Sequence, residues 1–383
     1  MNRKQLISLL VVVVLVGASG WIVYQRGNAS WQSAGQAIGG KLLPNLPIND
    51  IAQITIQAGT NQLTLAKRDN LWRVHERSDY PANFSQISDL LMKLADLKIA
   101  QSEEIGPSQL GRFELLPPGP GTNAGTLVEF KDPAGKPVAS VLLGKKHMKQ
   151  PSGNLQFDEG WPDGRYVMVG SGTKTVAVIS DPLDNVQPKP EDWLDKTFFK
   201  IEIPKSIAVT FPVATNSWKL VRASETNDWR LADTGPGEKL DSSKLYGVTS
   251  PFNSPTFDDV SPGSAVPTNA TALTVETFDG FTYAAKIGPE RDGNYPLTIS
   301  VTANLPAART PAKGEKPEEK SKLDAEFKQR QETLAAKLAK EKQFEHWTYQ
   351  IPAYTVEPFL KTKGQFLVEI KTNETNTSTP AGK

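Results

Sequence analysis

The sequence predicts an α+β fold: an N-terminal transmembrane helix followed by two tandem, strand-rich antiparallel modules, the second an internal duplication of the first. Three observations predict it. An uncharged apolar run extends from Leu6 to Tyr24. Behind it, short segments alternate apolar and polar residues and are closed by turn formers, the mark of antiparallel strands. The order of those segments then repeats after roughly 150 residues, a unit far longer than the ~20–50 residues of a solenoid.

The apolar run comes first. As a helix it would rise about 1.5 Å per residue and span roughly 28 Å, near the hydrocarbon thickness of a bilayer. Arg3 and Lys4 precede it and only Arg26 follows closely. That bias predicts a cytoplasmic N-terminus and an extracytoplasmic bulk. Ala18-Ser19-Gly20 offers the small residues of a signal cleavage site, but the run continues through Trp21-Ile22-Val23-Tyr24, which favours an uncleaved anchor. The expected organisation is a stub and anchor over 1–26, a juxtamembrane linker over 27–45, a first module over 46–200, a second over 201–372, and a disordered tail over 373–383. Order is expected to begin near Pro44-Asn45-Leu46-Pro47.

In the first module Ile51 to Ile56, Leu63 to Lys67 and Leu71 to Val74 read as strands, with a turn at Arg68-Asp69-Asn70. Ser206 to Phe211, Trp218 to Arg222 and Asp228 to Leu231 are their counterparts. The comparison pairs Thr55 with Thr210 and Leu65 with Leu220, because Thr55 to Leu65 and Thr210 to Leu220 both span ten residues, and places Trp72 and Trp229 at equivalent core positions. A helix capped by Asn83 or Ser85 follows in the first module, with Ile87, Leu90, Leu91, Leu94 and Leu97 on one face. In the second, Leu245, Val248 and Phe252 remain, and Gly247 and Pro251 predict a short or irregular helix. Hairpins turning at Asp132 to Gly135 and at Asp279-Gly280 come next. Arg165 to Val169 and Thr175 to Ile179 match Tyr295 to Val301 and Trp347 to Ile351.

A charged helical insertion over 307–345 interrupts the second module. Ala307 to Lys320 is too rich in Pro, Lys and Glu to form a core. Ser321 to Phe344 reads as one helix with a thin stripe of Leu323, Phe327, Leu334 and Leu338, supported by pairs such as Asp324–Lys328. That stripe is either a solvated helix resting on its module or an arm that grips a partner.

Composition narrows function mostly by exclusion. Lys+Arg number 43 and Asp+Glu 42, a net charge of +1, so there is no electrostatic footprint for nucleic acid. The absence of cysteine removes disulfides, thiol nucleophiles and thiolate metal sites. His75, His147 and His346 have no metal-ligand spacing. Gly170-Ser171-Gly172 lacks the nucleophile elbow, and Ala134-Gly135-Lys136-Pro137 lacks the rest of a phosphate loop. Carboxylates cluster at Asp158-Glu159, Asp181 with Asp184, Glu191-Asp192 and Asp258-Asp259, each read as a solvated turn. The expectation is a chain that is not an enzyme and holds no cofactor or metal. Trp161, within Gly160-Trp161-Pro162-Asp163-Gly164, reads as a loop residue placed for contact.

The basic start, the apolar anchor, Leu46-Pro47-Ile48-Asn49-Asp50-Ile51-Ala52-Gln53-Ile54-Thr55-Ile56, Leu63-Thr64-Leu65, Leu71-Trp72-Arg73-Val74, Tyr80-Pro81-Ala82 and Leu94-Ala95-Asp96-Leu97-Lys98 together resemble the bacterial domain-of-unknown-function family 4340. The resemblance is closest from Met1 to about Glu104, and the duplicated modules extend it to most of the chain; its motifs are structural rather than catalytic. It implies a single-pass protein of the bacterial inner membrane, and, by association with gliding-motility-type ABC transporters, an accessory subunit contacting permease or ATPase subunits. The bilayer contact would be residues 6–24. The other expectation is an envelope polysaccharide- or peptidoglycan-binding module; an extracytoplasmic hydrolase would need two carboxylates facing across a cleft.

Overall fold

The computed structural model describes residues 38–149, 160–170, 175–263, 269–311 and 315–368. The predicted anchor at 6–24, most of the linker, Asp158-Glu159, Ser171-Gly172 and the tail at 373–383 lie outside the described residues. Among those described, no helix is long and apolar enough to cross a membrane. The chain divides into two compact units between Asp195 and Lys196, five residues before the expected boundary, because Phe198 and Phe199 belong to the aromatic core of the second.

The first unit contains β1 (Gln53–Ala58), β2 (Asn61–Arg68), β3 (Leu71–Val74), β4 (Tyr80–Pro81), α1 (Phe84–Asp96), β5 (Ile99–Glu104), β6 (Thr126–Lys131), β7 (Pro137–Lys149), β8 (Trp161–Val169) and β9 (Thr175–Ile179). Its nine strands form one sheet in the order β4-β3-β2-β1-β6-β7-β8-β9-β5, and their pairings are antiparallel. Asp69 and Asn70 both take positive φ, the conformation that lets a two-residue turn match the twist of β2 and β3. Asn83 caps α1 by accepting from the Gln86 N–H at 3.2 Å.

Cross-strand registers line up the buried side chains. Leu65, Ile54, Phe130 and Ala139 share one row; Leu63, Ile56, Val128 and Val141 share the next. The opposite face is covered too. Leu142, Met168 and Val176 pack with Ile105 and Leu115 from the segment after β5. Residues before Pro44 already join the fold: the Gly39 N–H donates to Ile99 O and the Leu42 N–H to Leu97 O. Leu42 and Leu43 are buried. The end of the predicted linker is thus part of the first unit.

The second unit contains β10 (Pro204–Thr210), β11 (Trp218–Val221), β12 (Arg230–Leu231), β13 (Asp259–Pro262), β14 (Thr271–Thr277), β15 (Phe281–Ile287), β16 (Asn294–Ala303), α2 (Pro317–Glu341), β17 (Trp347–Pro352) and the single turn α3 (Ala353–Val356). Its eight strands run β12-β11-β10-β14-β15-β16-β17-β13. This is the order of the first sheet without a counterpart of β4. The registers agree residue for residue: Ile54 pairs with Leu65 and Phe130 as Ile207 pairs with Leu220 and Val275.

That agreement corrects the sequence alignment. Ile54 corresponds to Ile207 and Thr55 to Ala208, so Thr210 is not the partner of Thr55. The β10–β11 connection is longer than the β1–β2 turn and contains a short 3-10 segment, Ala214–Asn216. Trp72 lies opposite Lys67, and the equivalent residue is Trp229, just before β12. Trp72 is buried, whereas Trp229 is half-buried beneath the Arg222 guanidinium, 4.8 Å from its ring. In place of α1 there is only the 3-10 turn Ser242–Leu245, yet Leu245, Val248 and Phe252 are buried as expected.

The core of the second unit is aromatic. Phe198 packs its ring against Phe199, Phe257, Phe344 and Tyr349 at centroid distances of 4.4, 5.2, 5.2 and 4.5 Å.

Candidate functional site

Two places in the described residues stand apart from the packed sheets: the far end of the β7–β8 hairpin in the first unit, and α2 in the second.

The hairpin arises from an unequal pair. β15 of the second unit stops at Ile287, opposite Leu297. The equivalent pair in the first unit is Leu143 and Val167, but there the ladder continues through Lys146–Arg165, His147–Gly164, Met148–Pro162 and Lys149–Trp161, with two register shifts. Such shifts bend and twist a ribbon out of its sheet. Two glycines near its root admit a close approach of neighbouring backbone. A Cβ on Gly164 would sit 2.2 Å from Ile179 O, and one on Gly144 would sit 2.3 Å from Phe113 O.

The extension carries Lys145, Lys146, His147, Met148, Lys149 and Trp161. Trp161 is 50% exposed, and the Lys149 ammonium stands 6.0 Å from its ring. It opens a strand rather than lying in a loop, which corrects the expected setting but leaves it at the surface. His147 Nδ1 lies 2.6 Å from Asp163 Oδ1, and its ring is 5.8 Å from that of Tyr166.

Beside the root of this extension is a cleft of about 350 Å³ lined by Ala58, Asn61, Thr126, Lys146, Arg165 and the 184–189 segment. Arg165 donates from Nε to Gly144 O at 2.8 Å and from Nη1 to Pro182 O at 3.2 Å and Leu183 O at 3.4 Å. Burial pulls its pKa down from the ordinary value, and Asp184 and Glu114 oppose that pull. Lys146 meets Asp184 at 2.5 Å.

Each carboxylate pair singled out in the sequence that lies among the described residues has at least one member engaged. Asp181 pairs with Lys93 at 2.8 Å and accepts the Leu183 N–H at 2.8 Å. Burial pushes Asp181 up, but those bonds outweigh it and hold it below the usual carboxylate range. Glu191 meets Arg77 at 3.2 Å, and Asp259 accepts the N–H of Val260. Among the described residues no three His, Asp or Glu side chains are grouped to hold a metal ion.

In the second unit α2 starts at Pro317, four residues before the predicted start. Proline suits the first turn of a helix, where its missing N–H costs nothing, and Glu318 and Glu319 face the positive end of the helix dipole. The helix ends at Glu341, and a 3-10 turn covers Lys342–His346. Leu323 is 37% exposed, and Phe327, Leu334 and Leu338 are half-buried. The four form a stripe that is only partly covered. The predicted Asp324–Lys328 pair gives way to Arg309, which donates from Nη2 to Asp324 at 2.8 Å and forks onto Glu315. At the other end the Tyr283 hydroxyl donates to buried Glu341 Oε2 at 2.8 Å. Burial raises the Glu341 pKa, opposed by that bond and by Lys337.

A family profile matches residues 72–273, more than half of the chain. The chain belongs to the DUF4340 family, a domain of unknown function. The DUF4340 match runs from β3 to β14, within the wider stretch over which the sequence resemblance was expected to extend beyond Glu104. It takes in the extended hairpin and the whole cleft except Ala58 and Asn61. No curated protein and no solved structure matches the chain.

The cleft was not foreseen from sequence. Its lining comes from five separate stretches, and no fixed spacing links Asn61, Thr126, Lys146, Arg165 and Lys189.

Proposed function

We propose that this DUF4340 chain is a non-enzymatic, membrane-anchored scaffold of the bacterial inner membrane, with its two units on the extracytoplasmic side, and that it serves as an accessory subunit of an ABC-type transport or envelope complex. The units descend from one duplicated module. The observation that carries the reading is the repetition of one strand order in two sheets, each with a different projection added to the common frame. Fixed frames bearing variable projections suit partner recognition. The α2 stripe of Leu323, Phe327, Leu334 and Leu338 is the partner-gripping element in this reading, by the groove-seeking mode of amphipathic helices. Residues 6–24 supply the bilayer contact and no nucleic acid is involved.

Crosslinking in native membranes, followed by purification and mass spectrometry, tests this. The expected result is recovery of permease and ATPase subunits in constant ratio, lost when Leu334 and Leu338 are both changed to Ser. Recovery of the chain alone would overturn it.

Exposed Trp161 beside Lys149 favours a second reading, an envelope glycan-binding module, since an aromatic face with an adjacent polar group suits a sugar ring. Retention on peptidoglycan that Trp161→Ala abolishes would support it.

A further inference from the structure

We propose that the cleft of the first unit is a binding site for an oxyanion, a carboxylate or phosphate group carried by a small ligand. The proposal stands on the cleft's own geometry and not on the scaffold reading.

Three cations line the cleft, Lys146, Arg165 and Lys189, against one carboxylate, Asp184. Among the described residues Lys146 alone of the three forms an ion pair, to Asp184. The Arg165 side chain is held in place by three backbone carbonyls, none of which carries a compensating charge. Its Nη2 has no partner among the described residues, and neither has the Lys189 ammonium. A guanidinium that is half-buried, fixed and left with unused donors is preorganised for an anion, and its hydrogen bonds to charged acceptors are about twice as strong as neutral ones. Asn61, Thr126 and Gln187 add neutral polar groups to orient a ligand, and Ala58, Val186 and Pro188 add apolar wall. The volume is that of a small-ligand site.

The second unit supplies a built-in control. Arg165 pairs with Ile179 as Tyr295 pairs with Ile351, so Tyr295 occupies the position of Arg165. The ladder that holds Lys146 has no counterpart there, because β15 ends at Ile287. Tyr295 instead donates to Glu290 at 3.2 Å. The cationic lining is therefore an addition to the first unit and not a property of the shared frame.

The test is calorimetric titration of the purified full chain with inorganic phosphate and, separately, with acetate, each at constant ionic strength set by chloride. Saturable binding of phosphate alone identifies a phosphate ester as the ligand class; of acetate alone, a carboxylate; of both, a site for either oxyanion. Lys189→Gln, at an exposed position that does not hold the fold, should weaken binding about tenfold, the equivalent of one charge-assisted hydrogen bond. Arg165→Met should abolish it in protein whose circular dichroism is unchanged. No saturable binding of either anion, or equal binding by wild type and Lys189→Gln, overturns the proposal.

Discussion

The two units share a strand order and differ in what has been added to it. The first is built on an aliphatic core, keeps a full helix between β4 and β5, and extends its β7–β8 hairpin by four cross-strand pairs rich in Lys. The second replaces the helix by a 3-10 turn, fills its core with tilted and edge-to-face aromatic rings, and inserts the α2 segment between β16 and β17. The difference teaches that the register of the central strands is the shared part. Connections can grow because they run outside the packed rows, where extra residues disturb no buried contact. A hairpin can also grow outward past the end of the sheet, with register shifts that turn the ribbon and glycines where neighbouring backbone crowds it.

The largest effect should come from a matched pair of core truncations. Phe130 and Val275 occupy equivalent positions and both are fully buried. Phe130→Ala should cost about 3–5 kcal/mol, and Val275→Ala clearly less because fewer buried methylenes are lost. Urea unfolding checks this, and equal costs would break the equivalence of the two cores. Gly164→Ala should cost about 3 kcal/mol, because the added Cβ meets a backbone oxygen that has nowhere to move. The same melts read it, with the loss accompanied by faster exchange of the β8 and β9 amides.

Glu341 gives the second unit a pH signature that the first has no reason to share. Its folded pKa is raised by burial, so the protonated form is favoured in the folded state. Its contribution to stability is therefore complete below the unfolded value and lost as pH rises through the folded one. Glu341→Gln should stabilise the chain relative to wild type at pH 7, with the advantage vanishing as pH falls through the ordinary glutamate range. Tyr283→Phe, which removes a donor to a buried carboxylate, should cost about 1.5–3 kcal/mol at pH 7 and less in acid. A pH series of urea melts reads both, and a pH-independent difference would remove Glu341 from the account. The smallest effect belongs to Arg309→Ala. It should lower the midpoint of unfolding only slightly and speed proteolysis at the start of α2, because Arg309 forks onto the largely covered Glu315 and also holds the exposed Asp324.

Much of this frame was legible in the sequence. The β2–β3 turn is fixed by Asp69-Asn70, α1 by its apolar spacing and Asn83, and the β14–β15 hairpin by Asp279-Gly280, where a Cβ on Gly280 would strike Asn304 O. Strands β5 and β13 were not legible. In β5 only Ile99 is buried, so no alternation marks it, and its partner β9 lies far along the chain. The residue-level alignment failed by two positions because Thr210 resembled Thr55 in type while the β10–β11 connection had lengthened. The cleft was illegible because surface cations carry no periodicity, and only the registers bring Lys146 beside Arg165.

The edge strands test the shared topology most directly. The chain has no cysteine, so thiols can be placed without interference. Glu103 pairs with Val176 in β5–β9, and the equivalent pair in β13–β17 is Ser261 with Thr348. Both join segments distant in sequence. Two double-cysteine variants, treated with a short thiol crosslinker and mapped by mass spectrometry, should each give an intramolecular link at the paired positions. A link in one unit and none in the other would contradict a common strand order.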